Sequence, residues 1–343
     1  MMGNVVGVDG GTTKTVALVA DYQGRILGAG RAGGSNWTGA DVAAPMAVVV
    51  AAVQGALSQA GLVGDDIELG MFALAGADWP EDHDRRRAVL ERARVARRTV
   101  VKNDAFAGMR AGSSQAYCVV IAAGTGTNTA IIAPDGREWA FGYYVTYGGA
   151  SDVAQEAIHA VLRAEDGRGP QTMLTGLVLD KLGCHDVETM LRALVARRVD
   201  HARRLSLCPL VFEAAHRGDE VATEIVVKQG LALAEYATAL IRRFGIDGQE
   251  FDVVLSGSLY KGRGPLLVDT ITQAVHRVAP LARIVPARFE PAVGAVLLAY
   301  DALGLTVDDV IRQNLATTCP EPAFYSTTDG GDPSLDAWDT RKR

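Results

Sequence analysis

Short apolar runs that end in glycine turns mark the start of the chain. The run at residues 5–9 is apolar and β-branched, and a Gly-Gly turn with threonines follows it directly. Residues 16–20 and 25–30 form two more such runs, separated by Asp21-Tyr22-Gln23-Gly24. Short apolar runs bounded by turn-forming residues are typical of strands. The pattern therefore predicts three consecutive strands, a β-meander.

The same pattern returns farther along the chain. Residues 117–123 predict a strand, Gly124-Thr125-Gly126-Thr127-Asn128 predicts a glycine turn, and residues 129–133 and 138–142 predict two more strands. Aligning Gly10 with Gly124 superposes the two turns at a spacing of 114 residues. A repeated supersecondary unit of this kind indicates two similar halves.

Between the two copies, strand and helix patterns alternate. Helices are predicted at about 41–60 and 82–96, strands at 67–75 and 99–102, and a short helix after Asn103-Asp104. Such alternation is typical of an α/β unit. The arginine cluster 85–87 falls within a helical pattern beside acidic residues, so we expect it on a solvated helix face.

After residue 151 the pattern is mostly helical as far as residue 244. Strands are then predicted at 251–255 and 282–285, and a helix at 291–303. Residues 319–343 are rich in Pro, Gly, Asp, Ser and Thr and lack periodicity. We therefore predict an N-terminal lobe at 1–115, a C-terminal lobe at 116–318 with a helical insertion at about 152–245, and an irregular extension at 319–343.

Composition narrows the class of protein. The 343 residues suffice for two domains with their own cores, and a net charge of −6 gives no attraction to nucleic acid or to an anionic membrane. The cysteines at 118, 184, 208 and 319 lack metal-ligand spacing, so we expect buried thiols in a reducing compartment. The longest apolar stretch, 42–57, contains Pro45, Gln54 and Gly55 and predicts a core helix. With no secretion signal apparent, we expect a soluble cytoplasmic protein.

The two glycine turns carry the first chemical prediction. A glycine turn after a buried strand leaves backbone N–H groups free to bind an anion, and threonine hydroxyls add donors. One such turn could be a plain tight hairpin. Two equivalent turns in repeated units can instead face one polyphosphate in the cleft between them. The spacing does not match the P-loop pattern, and no dinucleotide-binding glycine motif opens a helix.

Together these segments resemble a known superfamily. The repeated strand–turn–strand units, Asn103-Asp104, and Val253-Val254-Leu255-Ser256-Gly257-Ser258 resemble the phosphate-1, connect, phosphate-2 and adenosine elements of the sugar kinase, Hsp70 and actin superfamily. The chain looks like the BadF/BadG/BcrA/BcrD ATPase family, which includes N-acetylglucosamine and glucosamine kinases. The likeness runs from about residue 5 to 303 and includes the segments 33–36, 74–78, 163–169 and 212–219.

The resemblance implies an α/β fold with two actin-like (ribonuclease H-like) lobes, an ATP cleft between them and a helical insertion in the second lobe. It also implies a kinase that uses ATP and Mg²⁺ to phosphorylate a hydroxyl of an amino sugar, and a homodimer. The expected ATP-binding residues are Gly10, Gly11, Thr12, Thr13, Lys14, Gly124, Thr125, Gly126, Thr127, Gly257 and Ser258.

For the reaction itself, the resemblance gives Asp104 the role of catalytic base and places Asp9 near the metal ion, with contact through water. The competing interpretations are a helix N-cap at Asn103 or Asp104 and a turn-starting aspartate at Asp9. General-base removal typically lowers a rate by about 10²- to 10⁴-fold.

Substrate contacts are expected from residues around the same cleft. The predicted set is Asn36, Gly76, Asp104, Thr125, Asn128, Tyr147 and Asp152. For Asn36 an ordinary Asx turn competes with sugar binding, and for Asp152 a helix cap does. The segment 143–152 departs from the resemblance, because amino sugar kinases carry an acidic residue there that holds sugar hydroxyls. Tyr147 or Asp152 would have to substitute for it.

Two other functions stay open. One is an ATP-driven activator of a CoA-ester reductase or dehydratase, which would need cysteines that hold an iron–sulfur cluster. The other is a sugar- or nucleotide-binding regulator without turnover, which the altered segment 143–152 would suit.

Overall fold

The structure is a computed structural model that describes residues 3–37, 39 and 41–325. Its first sheet has five strands in the order β3-β2-β1-β4-β5. β1 pairs antiparallel with β2 and parallel with β4. The elements of this half are β1 (Asn4–Gly10), β2 (Lys14–Asp21), β3 (Ile26–Gly33), α1 (Ala43–Ala60), β4 (Ile67–Leu74), α2 (Pro80–Arg92), β5 (Arg98–Asn103) and α3 (Asp104–Gly112).

The second sheet repeats this topology. Its order is β10-β9-β6-β7-β8, and β6 pairs antiparallel with β7 and parallel with β9. The predicted repeat of one meander therefore extends to the whole five-stranded unit. The strands are β6 (Cys118–Ala123), β7 (Thr127–Ile132), β8 (Glu138–Ala140), β9 (Asp252–Ser256) and β10 (Arg283–Pro286).

Helices dominate the rest of the second half, as the periodicity predicts. Six of them separate β8 from β9, and α9 is the longest at 25 residues. The helices are α4 (Ala150–Glu165), α5 (Leu174–Leu182), α6 (Val187–Val195), α7 (His201–Leu205), α8 (Cys208–His216), α9 (Glu220–Phe244), α10 (Leu266–His276), α11 (Pro291–Ala302), α12 (Asp309–Thr318) and α13 (Pro322–Tyr325).

The elements stack in alternating layers. α1 and α2 cover the outer face of the first sheet, and α4, α9 and α10 cover the outer face of the second. α3 and α11 fill the space between the two sheets. Their close approach requires glycine, because a Cβ on Gly294 of α11 would overlap the carbonyl oxygen of Ala107 in α3. This buried pair of helices fixes the two sheets against each other.

α1 belongs to the core. It is long and apolar enough to cross a membrane, but Met46, Val49 and Val53 pack on the first sheet, so the predicted core helix is confirmed.

The predicted lobe boundaries stay predictions. α11 belongs to the predicted C-terminal lobe by sequence, but it packs on β1 and β4 of the first sheet. Of the predicted extension 319–343, the described part includes the short helix α13, and residues 326–343 lie outside the described residues.

Candidate active site

The two glycine turns meet at the carboxyl ends of β1 and β6. The hydroxyl oxygens of Thr13 and Thr125 lie 2.7 Å apart, within hydrogen-bond distance. Thr13 comes from the first turn and Thr125 from the second, so the repeat brings its two predicted anion sites to one place. Among the described residues, no backbone hydrogen bond uses the N–H groups of Thr12, Thr13, Thr125 or Gly126. These amides are the donors that a phosphate would need.

A second pair of glycines lies behind each turn. The segments 33–36 and 143–152 were distinguished in the sequence, but no role was predicted for these glycines. Ser35 N–H donates to the Gly11 carbonyl at 3.0 Å, and Ala150 N–H donates to the Gly124 carbonyl at 2.8 Å. A Cβ on Gly34 would overlap the Thr12 carbonyl, and a Cβ on Gly149 would overlap the Thr125 carbonyl. A signal was present in the sequence, since Gly33-Gly34 lies at the end of β3 and Gly148-Gly149 follows β8, the third strand of the second repeat.

The helix α4 begins directly behind the second turn. Ser151 N–H donates to the Thr125 carbonyl at 3.0 Å. The N-terminus of a helix carries partial positive charge, which favours an anion at this turn.

Asp152 has a structural role in the start of this helix. Its carboxylate accepts hydrogen bonds from the N–H groups of Gly148 and Gly149 at 2.9 and 3.0 Å, so it caps α4. Asp152 therefore has the capping role that competes with substrate binding, and its contact with substrate stays a prediction.

Tyr147 contacts the long helix α9. Its carbonyl accepts a hydrogen bond from the Tyr236 hydroxyl at 3.1 Å, and the Lys228 ammonium lies 5.1 Å from its ring centre. Both partners are on α9. Burial, followed by the charge of Glu156, raises the pKa of the Tyr147 phenol to about 12. The charge of Asp152, another predicted substrate residue, also raises this pKa, and a substrate role for Tyr147 stays a prediction.

Asp104 is the first residue of α3 and is free of the capping role. Asn103 is the N-cap, because its side-chain oxygen accepts from the N–H of Ala105 at 2.9 Å. Burial raises the pKa of Asp104 to about 7, and the nearby charges of Asp9 and Asp78 contribute. A carboxyl that titrates near neutral pH suits a general base.

Asp9 lies near the end of β1, and its pKa is raised as well. Burial raises its pKa to about 6, although the charge of Lys14 opposes the shift.

Amide side chains connect Asn103, the residue before Asp104, with the second half. Asn128 Nδ2 donates to Asn103 Oδ1 at 3.0 Å, and Asn103 Nδ2 donates to Asp78 Oδ1 at 2.6 Å. Asn128 Oδ1 in turn accepts from the N–H of Gly142 at 3.0 Å. The predicted substrate residue Asn128 therefore lies beside the first turn of α3.

Asn36 and Gly76 come together from two separate loops. Asn36 Nδ2 donates to the Thr12 hydroxyl at 3.1 Å, which ties it to the first turn. Gly76 has φ of 72°, and a Cβ there would lie 2.9 Å from Asn36 Oδ1. Glycine is required at this position both by the backbone conformation and by space.

Gly257 and Ser258 follow β9 and lie beside the second turn. Gly257 has φ of 115°, and a Cβ on it would overlap the Ala123 carbonyl. Ser258 Oγ is 3.8 Å from the position of a Cβ on Gly124. The predicted adenosine loop is thus adjacent to the turn predicted to bind phosphate.

Lys14 makes a contact that the sequence did not predict. Its ammonium donates to the carbonyl of Tyr325 and lies 5.7 Å from the centre of the Tyr325 ring. Burial lowers the pKa of Lys14, while the charges of Glu290 and Asp9 raise it. The last described residue of the chain therefore holds the lysine of the first turn.

Arg86 corrects the prediction of a solvated arginine cluster. Arg85 and Arg87 are exposed, but Arg86 is completely buried. Its Nη2 donates to the carbonyls of Ala75 at 3.1 Å and Trp37 at 3.2 Å, so it joins the loops that carry Gly76 and Asn36. A signal existed in the helix period, because Asp82, Arg86 and Leu90 share one buried face of α2.

The altered segment after the second meander packs across the halves. The ring of Tyr143 contacts that of Trp79, with centroids 4.5 Å apart, and its hydroxyl lies 3.5 Å from Asp82 Oδ2. This segment therefore closes one side of the region between the two sheets.

Comparisons with known proteins agree with this geometry. The family model described as the BadF/BadG/BcrA/BcrD ATPase family matches residues 6–299. The chain is 26% identical over 317 residues to an N-acetyl-D-glucosamine kinase of Dictyostelium discoideum, covering 87% of this chain and 98% of the relative. It is 27% identical over 248 residues to a glucosamine kinase of Vibrio cholerae, covering 70% of this chain and 81% of the relative.

A solved structure has the same fold. It is described as a candidate N-acetylglucosamine kinase from Chromobacterium violaceum, and it superposes with a TM-score of 0.67 at 25% identity, covering 87% of this chain and 99% of the other. Together with the two repeated sheets, this likeness confirms the predicted α/β fold of two actin-like units.

Proposed function

The chain belongs to the BadF/BadG/BcrA/BcrD ATPase family, and we propose that it transfers the γ-phosphoryl group of ATP to a hydroxyl of an amino sugar such as glucosamine or N-acetylglucosamine. The observation that carries the proposal is the contact between Thr13 and Thr125, which joins two turns with unused amides. Phosphoryl transfer asks a protein mainly for positioning and charge stabilisation, and paired turns supply both.

The phosphates of ATP would bind between the two turns. The amides of Thr12 and Thr13 would donate from one side, and those of Thr125 and Gly126 from the other. Gly257 and Ser258 would pass the adenosine, since they lie beside the second turn. The positive end of α4 would stabilise the negative charge at this turn.

Magnesium fits at the end of β1. Asp9 supplies a carboxylate there, and the described residues contain no cluster of three or more metal-ligating side chains. Mg²⁺ commonly keeps several waters and takes further ligands from phosphate oxygens, so Asp9 would hold it through water. When bound, the ion would neutralise phosphate charge.

Asp104 would remove the proton from the attacking hydroxyl. Its pKa near 7 places it partly ionised at neutral pH, and Asn103 relieves it of the helix-capping task. Asn36, Gly76 and Asn128 would orient the sugar. Asn36 contacts Thr12 of the first turn, and Gly76 lies beside Asn36. Asn128 contacts Asn103 at the start of α3.

The proposed setting is the cytoplasm, supported by four free cysteines and by the packing of α1 in the core. A homodimer, which the resemblance implies, stays a prediction. The activator alternative loses support, because Cys118 and Cys208 are buried in the core, which leaves only Cys184 and Cys319 partly exposed, and these two are far apart in sequence. No observation favours the regulator without turnover.

A panel of sugars tests the proposed function. ADP release is measured by a coupled assay with glucosamine, N-acetylglucosamine, glucose and related sugars, each with the native chain and with Asp104→Ala. We expect one amino sugar to raise ADP release strongly, and the variant to lower kcat by about 10²- to 10⁴-fold. ADP release that no sugar stimulates, or that Asp104→Ala leaves unchanged, would contradict the proposal.

A further inference from the structure

Asp78 lies where the two halves meet, and no role has so far been assigned to it. It follows Gly76 in the loop after β4, and its side chain is partly exposed. Across the gap, the backbone of Gly142 lies directly against it, because a Cβ on Gly142 would lie 2.5 Å from Asp78 Cγ. A carboxylate from the first half thus borders a loop of the second half.

The side chain has one satisfied oxygen and one free oxygen. Oδ1 accepts from Asn103 Nδ2 at 2.6 Å. Oδ2 has no hydrogen-bond partner among the residues that the structure describes. An ionised carboxylate has about four acceptor positions, so most of this capacity is unused.

The partners of Asp78 place it at the proposed sugar site. Asn103 binds both Asp78 and Asn128, and it immediately precedes the proposed base Asp104. The charge of Asp78 contributes to the raised pKa of Asp104, so the two carboxyl groups are close enough to interact.

Buried Arg86 keeps this loop in place. Its Nη2 donates to the carbonyl of Ala75, three residues before Asp78. Burial raises the pKa of Asp78, and the positive charge of Arg86 opposes this shift. Holding a group in place before binding lowers the entropy lost on binding.

We infer that Asp78 accepts a hydrogen bond from a second hydroxyl of the sugar, one that is not phosphorylated, and so helps to select the sugar. This inference rests on the proposed function. Sugars present several hydroxyl donors, and a fixed carboxylate acceptor discriminates strongly against an analogue that lacks the matching hydroxyl.

A purely structural role makes a different prediction. If Asp78 only positioned Asn103, and through it α3, its loss would disturb Asp104 and lower kcat. If Asp78 contacts the sugar, its loss raises the KM and the dissociation constant of the sugar and leaves the KM of ATP unchanged. The split between kcat and KM therefore separates the two roles.

The test uses Asp78→Asn, which keeps the size of the side chain and an oxygen for Asn103 but removes the charge. Sugar binding is measured by calorimetry without ATP, and kinetics follow with the best substrate. We expect sugar affinity to fall by roughly 10- to 100-fold, as for a lost hydrogen bond to a charged group. The matched control is Asp84→Asn, which removes an exposed carboxylate of α2 paired with Arg87 and should change nothing.

Deoxy sugars locate the contact without relying on one variant. One deoxy analogue lacks the hydroxyl that Asp78 binds. The native chain should bind this analogue as weakly as Asp78→Asn binds the complete sugar, and Asp78→Asn should bind the analogue and the complete sugar equally well. If Asp78→Asn does not fold, the native chain should still lose affinity for one deoxy analogue, and Asp78→Glu should change that preference. Unchanged sugar affinity in Asp78→Asn, or equal losses for every deoxy analogue in both proteins, would overturn the inference. Sugar binding without any turnover would contradict the proposed function alone.

Discussion

In the first half, the central strand β1 carries Asp9 just before its last residue, whereas Ala122 holds the equivalent place in β6 of the second half. The matching hydrogen bonds to the carbonyls of Gly11 and Gly124 make these two glycines equivalent, one residue away from the alignment of Gly10 with Gly124. The same contrast extends to the neighbouring loops. Asp78 and Asp104 follow β4 and β5, whereas the second half presents Thr125 from its turn and Asn128 from β7. Two copies of one topology therefore present different chemistry to the same region, an acidic side and a neutral side.

This difference indicates how the proposed reaction divides between the halves. Carboxylates accept hydroxyl protons and attract cations, so the acidic half suits the sugar and the metal ion. Backbone amides and a helix N-terminus attract phosphate, and α4 begins behind the second turn only, since the loop behind the first turn leads away to α1. The two halves share one topology, and the side chains at their strand ends differ in a way that suits two separate roles.

The largest effect is expected from making the neutral half acidic. Ala122→Asp would place a carboxylate at the position equivalent to Asp9, opposite Asn128 of β7 and near the proposed phosphate site. Repulsion between unit charges about 5 Å apart at an effective dielectric constant near 20 is about 3 kcal/mol, so the KM of ATP should rise roughly 100-fold. Ala122→Asn has the same bulk without the charge and serves as the control. Equal KM values for the two variants would show that this half does not face phosphate.

A smaller effect is expected from adding a methyl group to the glycine behind one turn. A Cβ in Gly149→Ala would overlap the Thr125 carbonyl, and overpacking of this kind costs about 1–3 kcal/mol. We expect the KM of ATP to rise about tenfold or more, with little change in the KM of the sugar. Gly34→Ala makes the matching overlap behind the first turn, near Asn36, and should raise both KM values. Steady-state kinetics with each substrate varied in turn would measure this, and identical profiles would remove the distinction between the turns.

The smallest effect concerns stability on the acidic side. Because burial raises the pKa of Asp104 from 3.8 to about 7, the folded state binds the proton more tightly than the unfolded chain does. The ionised carboxylate therefore destabilises the fold increasingly from about pH 4 to pH 7, and the penalty is complete above that range. Asp104→Asn should raise the free energy of unfolding by about 1–3 kcal/mol at pH 8 and leave it unchanged below pH 4.

Denaturant unfolding at pH 4, 6 and 8 would measure this difference. Asp84→Asn, which changes an exposed carboxylate, is the control. A gain in stability that is equal at all three pH values would show that the charge of Asp104 is not the cause.

Much of the fold could be predicted because local patterns determine it. The strand–turn–strand units are marked by short apolar runs and glycine turns, which are close together in the sequence. Each turn also occurs twice, in equivalent places of the repeat. The return of α11 to the first sheet had no such signal. It depends on which apolar surface remains open once both sheets have formed, and that is a property of the whole chain.

The site shows the same limit. Asp104 could be recognised from its position at the end of a strand, but its freedom from capping depends on Asn103 taking the cap. Asp152 has the same residue type at the start of a helix and is the cap. Arg86 is buried between two exposed arginines, and only its position on the inner face of α2 distinguishes it. Sequence gives the residue types, while partners decide their roles.

The position of α11 has a consequence for biosynthesis. β1 is among the first elements to leave the ribosome, and α11 is among the last. Until α11 arrives, Val5, Val16 and Leu18 on the inner face of the first sheet lack the helix that buries them in the finished protein. We expect nascent chains that stop before residue 291 to expose this apolar face and to need chaperone protection, because the first half cannot complete its core during translation.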